Sequence, residues 1–225
     1  MCPFFWLHNA HLLMNEIITW VLENLNYWVV TVFMAIESSF IPFPSEVVVP
    51  PAAWLAMTGE KMNIVMVVVF ATIGADLGAL VNYYIAKIFG RPVIYKFADS
   101  RFGHMCLINK EKIMYAEEYF REHGALSTFF GRLVPAVRQL ISIPAGLSGM
   151  KLSTFLLYTT LGAGAWNTVL AIIGYAIYKA FPTVKTPEDV SELASKYSHE
   201  IGYAILAIVA IRAAWRIIKK VSKKH

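Results

Sequence analysis

A chain of 225 residues with 57% hydrophobic side chains, 16% charged ones and a mean hydropathy of +0.54 departs from the composition of soluble domains and reads as a polytopic membrane protein. The net charge of +5 lies beside apolar runs rather than on a polar domain. This argues against a nucleic-acid partner and assigns the basic residues to membrane topology and anionic head groups. Cys2 and Cys106, far apart, have neither metal-site nor disulfide-framework spacing.

Residues 1–26 form an N-terminal apolar or amphipathic segment. Met1 to Leu13 lack the positive n-region and cleavage site of a signal peptide and are expected to be retained, with Met14 an alternative start. Glu16 and Glu23 share a helical face, which leaves open whether 12–26 lies on the surface or begins a span. Residues 27–58 follow, an apolar segment broken by prolines that reads Glu37-Ser-Ser-Phe-Ile-Pro42-Phe-Pro44-Ser-Glu46-Val-Val-Val-Pro50-Pro51. Residues 62–89 are interrupted only by Asp76, Asn82 and Lys87 and exceed the roughly 20 apolar residues needed to cross a bilayer.

The polar, basic stretch 90–124 carries Ile113, Ala116, Tyr119 and Phe120 at helical spacing and is expected as interfacial helices, the second capped by Asn109. A second broken apolar segment, 126–150, reads Gly131-Arg132-Leu-Val-Pro135-Ala-Val-Arg138-Gln-Leu-Ile-Ser-Ile-Pro144-Ala-Gly146. Residues 152–181 should cross once more, 182–200 form an extracytoplasmic loop of balanced charge, and 201–225 hold a last crossing and a basic tail.

Parity then fixes topology. The basic stretch 87–124 and the basic tail should both be cytoplasmic. Two crossings separate them after 150, so 126–150 must return to the side it entered, as a re-entrant hairpin. The same logic makes 27–58 a hairpin from the outer face. Pro42 and Pro51 match Pro135 and Pro144 in spacing, each second proline being followed by alanine, and a long helix follows each segment. The expectation is an all-α polytopic membrane protein with two opposed re-entrant hairpins, an inverted repeat, and three to four full crossings.

An ionised side chain at membrane depth costs several kcal/mol unless it faces protein, water or a ligand. Arg132 and Arg138 suit a paired phosphate clamp completed by Gln139 and Ser142; the plainer account is snorkelling or structural pairing. Glu37 and Glu46 neutralise the arginines at rest or carry a proton, since desolvation and a nearby guanidinium push a carboxyl pKa in opposite directions. Asp76 lies inside Gly74-Ala-Asp76-Leu-Gly78, a spacing that also marks close helix packing. Trp166, Asn167 and Tyr175 read as packing residues. All six histidines fall outside the expected spans, Asp76 is the one aspartate within them, and no phosphate-binding loop appears. Catalysis, cofactor and metal are therefore not expected.

These motifs resemble the DedA family, also described by its VTT or SNARE-associated domain, from about Ala35 to Tyr178. The resemblance is carried by Glu37, Pro-Phe-Pro-Ser-Glu46, Phe130-Gly-Arg132-Leu-Val-Pro135-Ala-Val-Arg138, Ala145-Gly146 to Met150, and Trp166 with Gly174-Tyr175. It implies opposed hairpins in a bacterial inner-membrane protein, with acidic roles falling on Glu37 and Glu46 and basic ones on Arg132 and Arg138. It also implies movement of undecaprenyl phosphate or phosphatidylethanolamine between leaflets and dependence on the proton motive force. Many members carry an acidic residue after the glycine of the first long helix; here that place reads Gly78-Ala79, with Asp76 just before it. The expected partners are membrane lipids and protons, and homo-oligomer formation stays open. A proton-dependent ion or solute antiporter and a scaffold with structural charge pairs are the alternatives.

Overall fold

The structure is a computed structural model and describes residues 16–39, 44–59, 62–90, 92, 110–134, 137–198 and 200. The expectations for residues 1–15, for the Asn109 cap, for Pro42 and Pro135, and for the crossing and tail at 201–225 lie outside these. Among the described residues every regular element is a helix.

Residues 16–23 are helical and stop at Asn24, whose side-chain amide donates to Trp20 O at 2.8 Å. Helix α1, Tyr27–Glu37, starts where Asn26 Oδ1 accepts from the backbone N–H groups of Trp28 and Val29, at 3.0 and 3.1 Å. After a break comes one 3-10 turn, Ser45–Val47, and then α2, Val49–Met57. Pro50 and Pro51 sit in the first turn of α2, where no intrahelical N–H is needed. Helix α3, Ile64–Ile85, is capped by Asn63 and widens into a π-helical turn, Ala86–Gly90. Helix α4 is Lys110–Arg132, α5 the short Ser142–Leu147, and α6 Leu152–Ala180.

Two boundaries differ from the sequence reading. Helix α4 runs without interruption through 124–126, joining the expected interfacial helix to the first arm of the second broken segment. Gly124 alone is too weak a breaker, and a side chain there would press on Phe120 and Met150. Residues 187–198, expected within a loop, are helical. Thr186 Oγ1 accepts from the Asp189 N–H at 3.3 Å, and Val190, Leu193, Ala194 and Tyr197 pack on the core at helical spacing.

The long helices α3 and α6 are antiparallel. Thr72 accepts from Asn167 at 3.2 Å, Asp76 accepts from Thr160 at 2.7 Å, and the rings of Tyr83 and Phe155 stack at 4.7 Å. Helix α1 runs parallel to α3: Tyr27 stacks on Phe70 at 5.0 Å, Gly78 admits Ala35, and Asn82 donates to Ser38 O at 3.0 Å. Helix α4 runs parallel to α6 in the same manner, with Gly124 against Met150 and Gly162 against Arg132. The returning pieces cross to the other unit's long helix, Pro50 of α2 lying against Gly174 of α6 and Gly146 of α5 against Tyr83 O of α3. Each helix–break–helix unit therefore carries its break toward the middle of the long helices, the two approaching from opposite ends. Tyr27 OH accepts from the Asn63 N–H at 2.7 Å, so the first unit closes on itself at its base.

Val65, Val69, Ile73, Leu77 and Val81 form an exposed apolar stripe along α3, and Leu157, Leu161 and Ile172 stand exposed on α6. Both long helices are apolar enough to cross a membrane, and only 39% and 44% of their most apolar stretches are buried in the protein. A soluble core helix would be covered on most sides; these present hydrocarbon outward.

Candidate functional site

The four charged residues of the broken segments come together. Glu37 ends α1, Glu46 occupies the 3-10 turn, Arg132 ends α4, and Arg138 lies in the turns before α5. Helix ends at these breaks free the side chains to converge. Their exposures are 2, 6, 3 and 7%, so each charge depends on neighbours rather than water.

Arg138 Nη2 lies 2.7 Å from Glu37 Oε1, off the N–H direction, and 4.0 Å from Glu46 Oε2. The Arg138 guanidinium also covers the Trp166 ring, 5.4 Å from its centroid. Arg132 donates from Nη1 to Ser38 Oγ and from Nη2 to Ser142 Oγ, both at 3.4 Å. Ser38 Oγ in turn donates to Glu37 Oε2 at 3.1 Å, which links the two arginines through one hydroxyl and one carboxylate. Glu46 accepts from Ser45 at 3.5 Å and from Ser198 at 3.3 Å.

The remaining candidates are placed less directly. Asp76 stands on the α3–α6 seam, bonded to Thr160 and within electrostatic reach of Arg132. Gln139 contributes its backbone carbonyl, which accepts from Asn82 Nδ2 at 3.4 Å. Since the same Asn82 amide holds Ser38 O, one side chain of α3 ties the two breaks together. Gly162 lets Arg132 lie flat on α6, because a Cβ would come within 2.7 Å of Arg132 Cβ.

Sequence reasoning identified the charged residues and missed most of the residues that hold them. Asn82 figured only as a polar interruption of a span, although a carboxamide in an apolar helix needs a partner and is itself a signal. Trp166 read as packing, and the structure sets it beneath Arg138. Ser198 gave no signal, since nothing local marks a serine in an exposed-looking stretch as reaching a carboxylate. Among the described residues no group of three or more His, Cys, Asp or Glu could hold a metal ion.

Membrane-length helices with outward apolar faces, enclosing a buried charge cluster, define an integral membrane protein. Residues 41–176 match the VTT domain. The chain is 35% identical to the alkaline phosphatase-like protein of Lactococcus lactis subsp. lactis (strain IL1403), over 92% of its own length and 93% of that protein's. It is 30% identical to undecaprenyl phosphate transporter A of Bacillus subtilis (strain 168), over 92% and 95%, and 28% identical to protein DedA of Escherichia coli (strain K12), over 62% and 61%. The chain belongs to the DedA family of VTT-domain membrane proteins. No solved structure matches it.

Proposed function

We propose that this chain is a flippase or scramblase that moves a phosphate-bearing lipid, undecaprenyl phosphate or phosphatidylethanolamine, between the leaflets of the bacterial inner membrane. The observation that carries this reading is the pair of buried guanidiniums, Arg132 and Arg138, near the middle of two membrane-length helices. Burying two such charges costs more than a structural role repays, whereas a guanidinium fork matches phosphate oxygens closely. A relative's name, undecaprenyl phosphate transporter A, points to the same ligand chemistry.

In this mechanism the two units are re-entrant hairpins that enter from opposite faces and offer their breaks to alternate sides. The C-terminus is cytoplasmic. At rest Glu37 compensates Arg138; an arriving phosphate takes over that role, and Glu37 leaves it by accepting a proton. The lipid tail stays in hydrocarbon throughout. Reconstituted protein is expected to transfer a labelled polyprenyl phosphate or phospholipid between leaflets, and Arg138→Ala to abolish transfer. Undiminished transfer by that variant would refute the clamp.

Three carboxylates around two guanidiniums favour a second reading, a proton-dependent ion or small-solute antiporter. Ion flux into lipid-substrate-free vesicles, lost in Glu46→Gln, is the outcome that would select it.

A further inference from the structure

We infer that the indole N–H of Trp166 is a head-group ligand, donating to a phosphate oxygen held between Arg132 and Arg138; this deepens the lipid-phosphate reading above and rests on it. Trp166 is 2% exposed and lies fourteen residues from either end of α6. Its ring face is taken by Arg138, but its N–H points along the ring edge and has no acceptor among the described residues.

It is not alone in this. Arg138 Nη2 makes an ion pair with Glu37 outside hydrogen-bond geometry, and its Nε and Nη1 are buried without an acceptor among the described residues. Arg132 spends both terminal nitrogens on Ser38 and Ser142, and its Nε is likewise unmatched. These four nitrogens carry five hydrogens. One water could accept two of them and would add two hydrogens of its own. A phosphate monoester brings three acceptor oxygens and, fully ionised, no donor.

The indole adds a directional donor without adding charge to a cluster already crowded with it. Arg attracts any anion; a fixed neutral N–H selects among anions by the placement of their oxygens. The three free oxygens of a phosphate monoester such as a polyprenyl phosphate can meet two guanidiniums and the indole at once, whereas a carboxylate, or the diester phosphate of phosphatidylethanolamine, has only two free oxygens for three groups. The stack on Trp166 also holds Arg138 in register with that donor.

The test is a titration of the purified full-length chain with dodecyl phosphate, followed by indole 1H–15N resonances. The Trp166 signal is identified by its loss in Trp166→Phe, or from variants of the other five tryptophans should that protein fail to fold. It is expected to shift saturably with dodecyl phosphate and little with dodecanoate. Trp166→Phe keeps the aromatic face and should bind dodecyl phosphate about tenfold to a hundredfold more weakly, with a narrowed preference over dodecanoate. Trp28→Phe, at a site 75% exposed, should bind as wild type does. An unmoved Trp166 resonance at saturation, or unchanged affinity in Trp166→Phe, overturns the inference while leaving the head-group reading standing. No binding of dodecyl phosphate by the wild type overturns both.

Discussion

Arg138 and Glu37 are each other's nearest source of charge compensation, at 2.7 Å and almost out of reach of water. Removing one partner from a buried pair costs far more than replacing both, because it strands a charge. Glu37→Gln alone should therefore destabilise the protein by about 3–5 kcal/mol, and Glu37→Gln with Arg138→Gln by less than the two single changes summed. Denaturation in detergent measures the difference; strict additivity would show that the pair is not coupled. Glu37→Gln should also remove the pH dependence of lipid transfer, if that carboxyl is the proton acceptor. These charged positions were legible because a charge inside an apolar run is conspicuous. Ser38, Asn82 and Ser198 were not, since small polar residues occur everywhere and only folding shows which one meets a carboxylate.

Between elements, close approach is arranged by glycines and by one carboxamide. Gly162 lies under Arg132 and Gly78 under Ala35, and in each case an added side chain would collide with the partner helix. Gly162→Val is expected to displace Arg132 and reduce transfer at least tenfold with a smaller loss of stability, whereas Gly74→Val, whose added atoms would meet Thr31 and Met34 rather than a residue bonded to a guanidinium, should act mainly on stability. Thermal unfolding and transfer assays on the same two variants distinguish them. Asn82→Leu removes both ties between the breaks and leaves two carbonyls short of a donor, a cost of about 1–3 kcal/mol per buried group. The long apolar helices were readable from length and hydropathy. The run of α4 through residue 124 and the helix at 187–198 were not, because a single glycine and a charged amphipathic stretch suit helix and loop alike, and tertiary packing decides.

Across the whole molecule, parallel pairing of α1 with α3 and of α4 with α6, with α3 and α6 antiparallel, gives two halves of opposite direction. The pairings that establish these directions join residues dozens apart and leave no local trace in the sequence. In a bilayer, Gly59 and Lys151 should then lie on opposite faces. Gly59→Cys and Lys151→Cys, in a background with Cys2 and Cys106 replaced, are expected to react with an impermeant thiol reagent from opposite sides. Labelling of both from one side would contradict the inverted arrangement.

The count of charges at the centre has an electrical consequence. Glu37, Glu46 and Asp76 against Arg132 and Arg138 leave a formal charge of −1 when all are ionised. A unit charge crossing the whole field is worth about 2.3 kcal/mol per 100 mV. Under the proposed flippase mechanism, reorienting the unloaded cluster would thus pass current, and voltage would choose which leaflet it faces before any lipid arrives. In the proposed mechanism, a proton taken up by Glu37 would then set whether the loaded step feels that voltage at all.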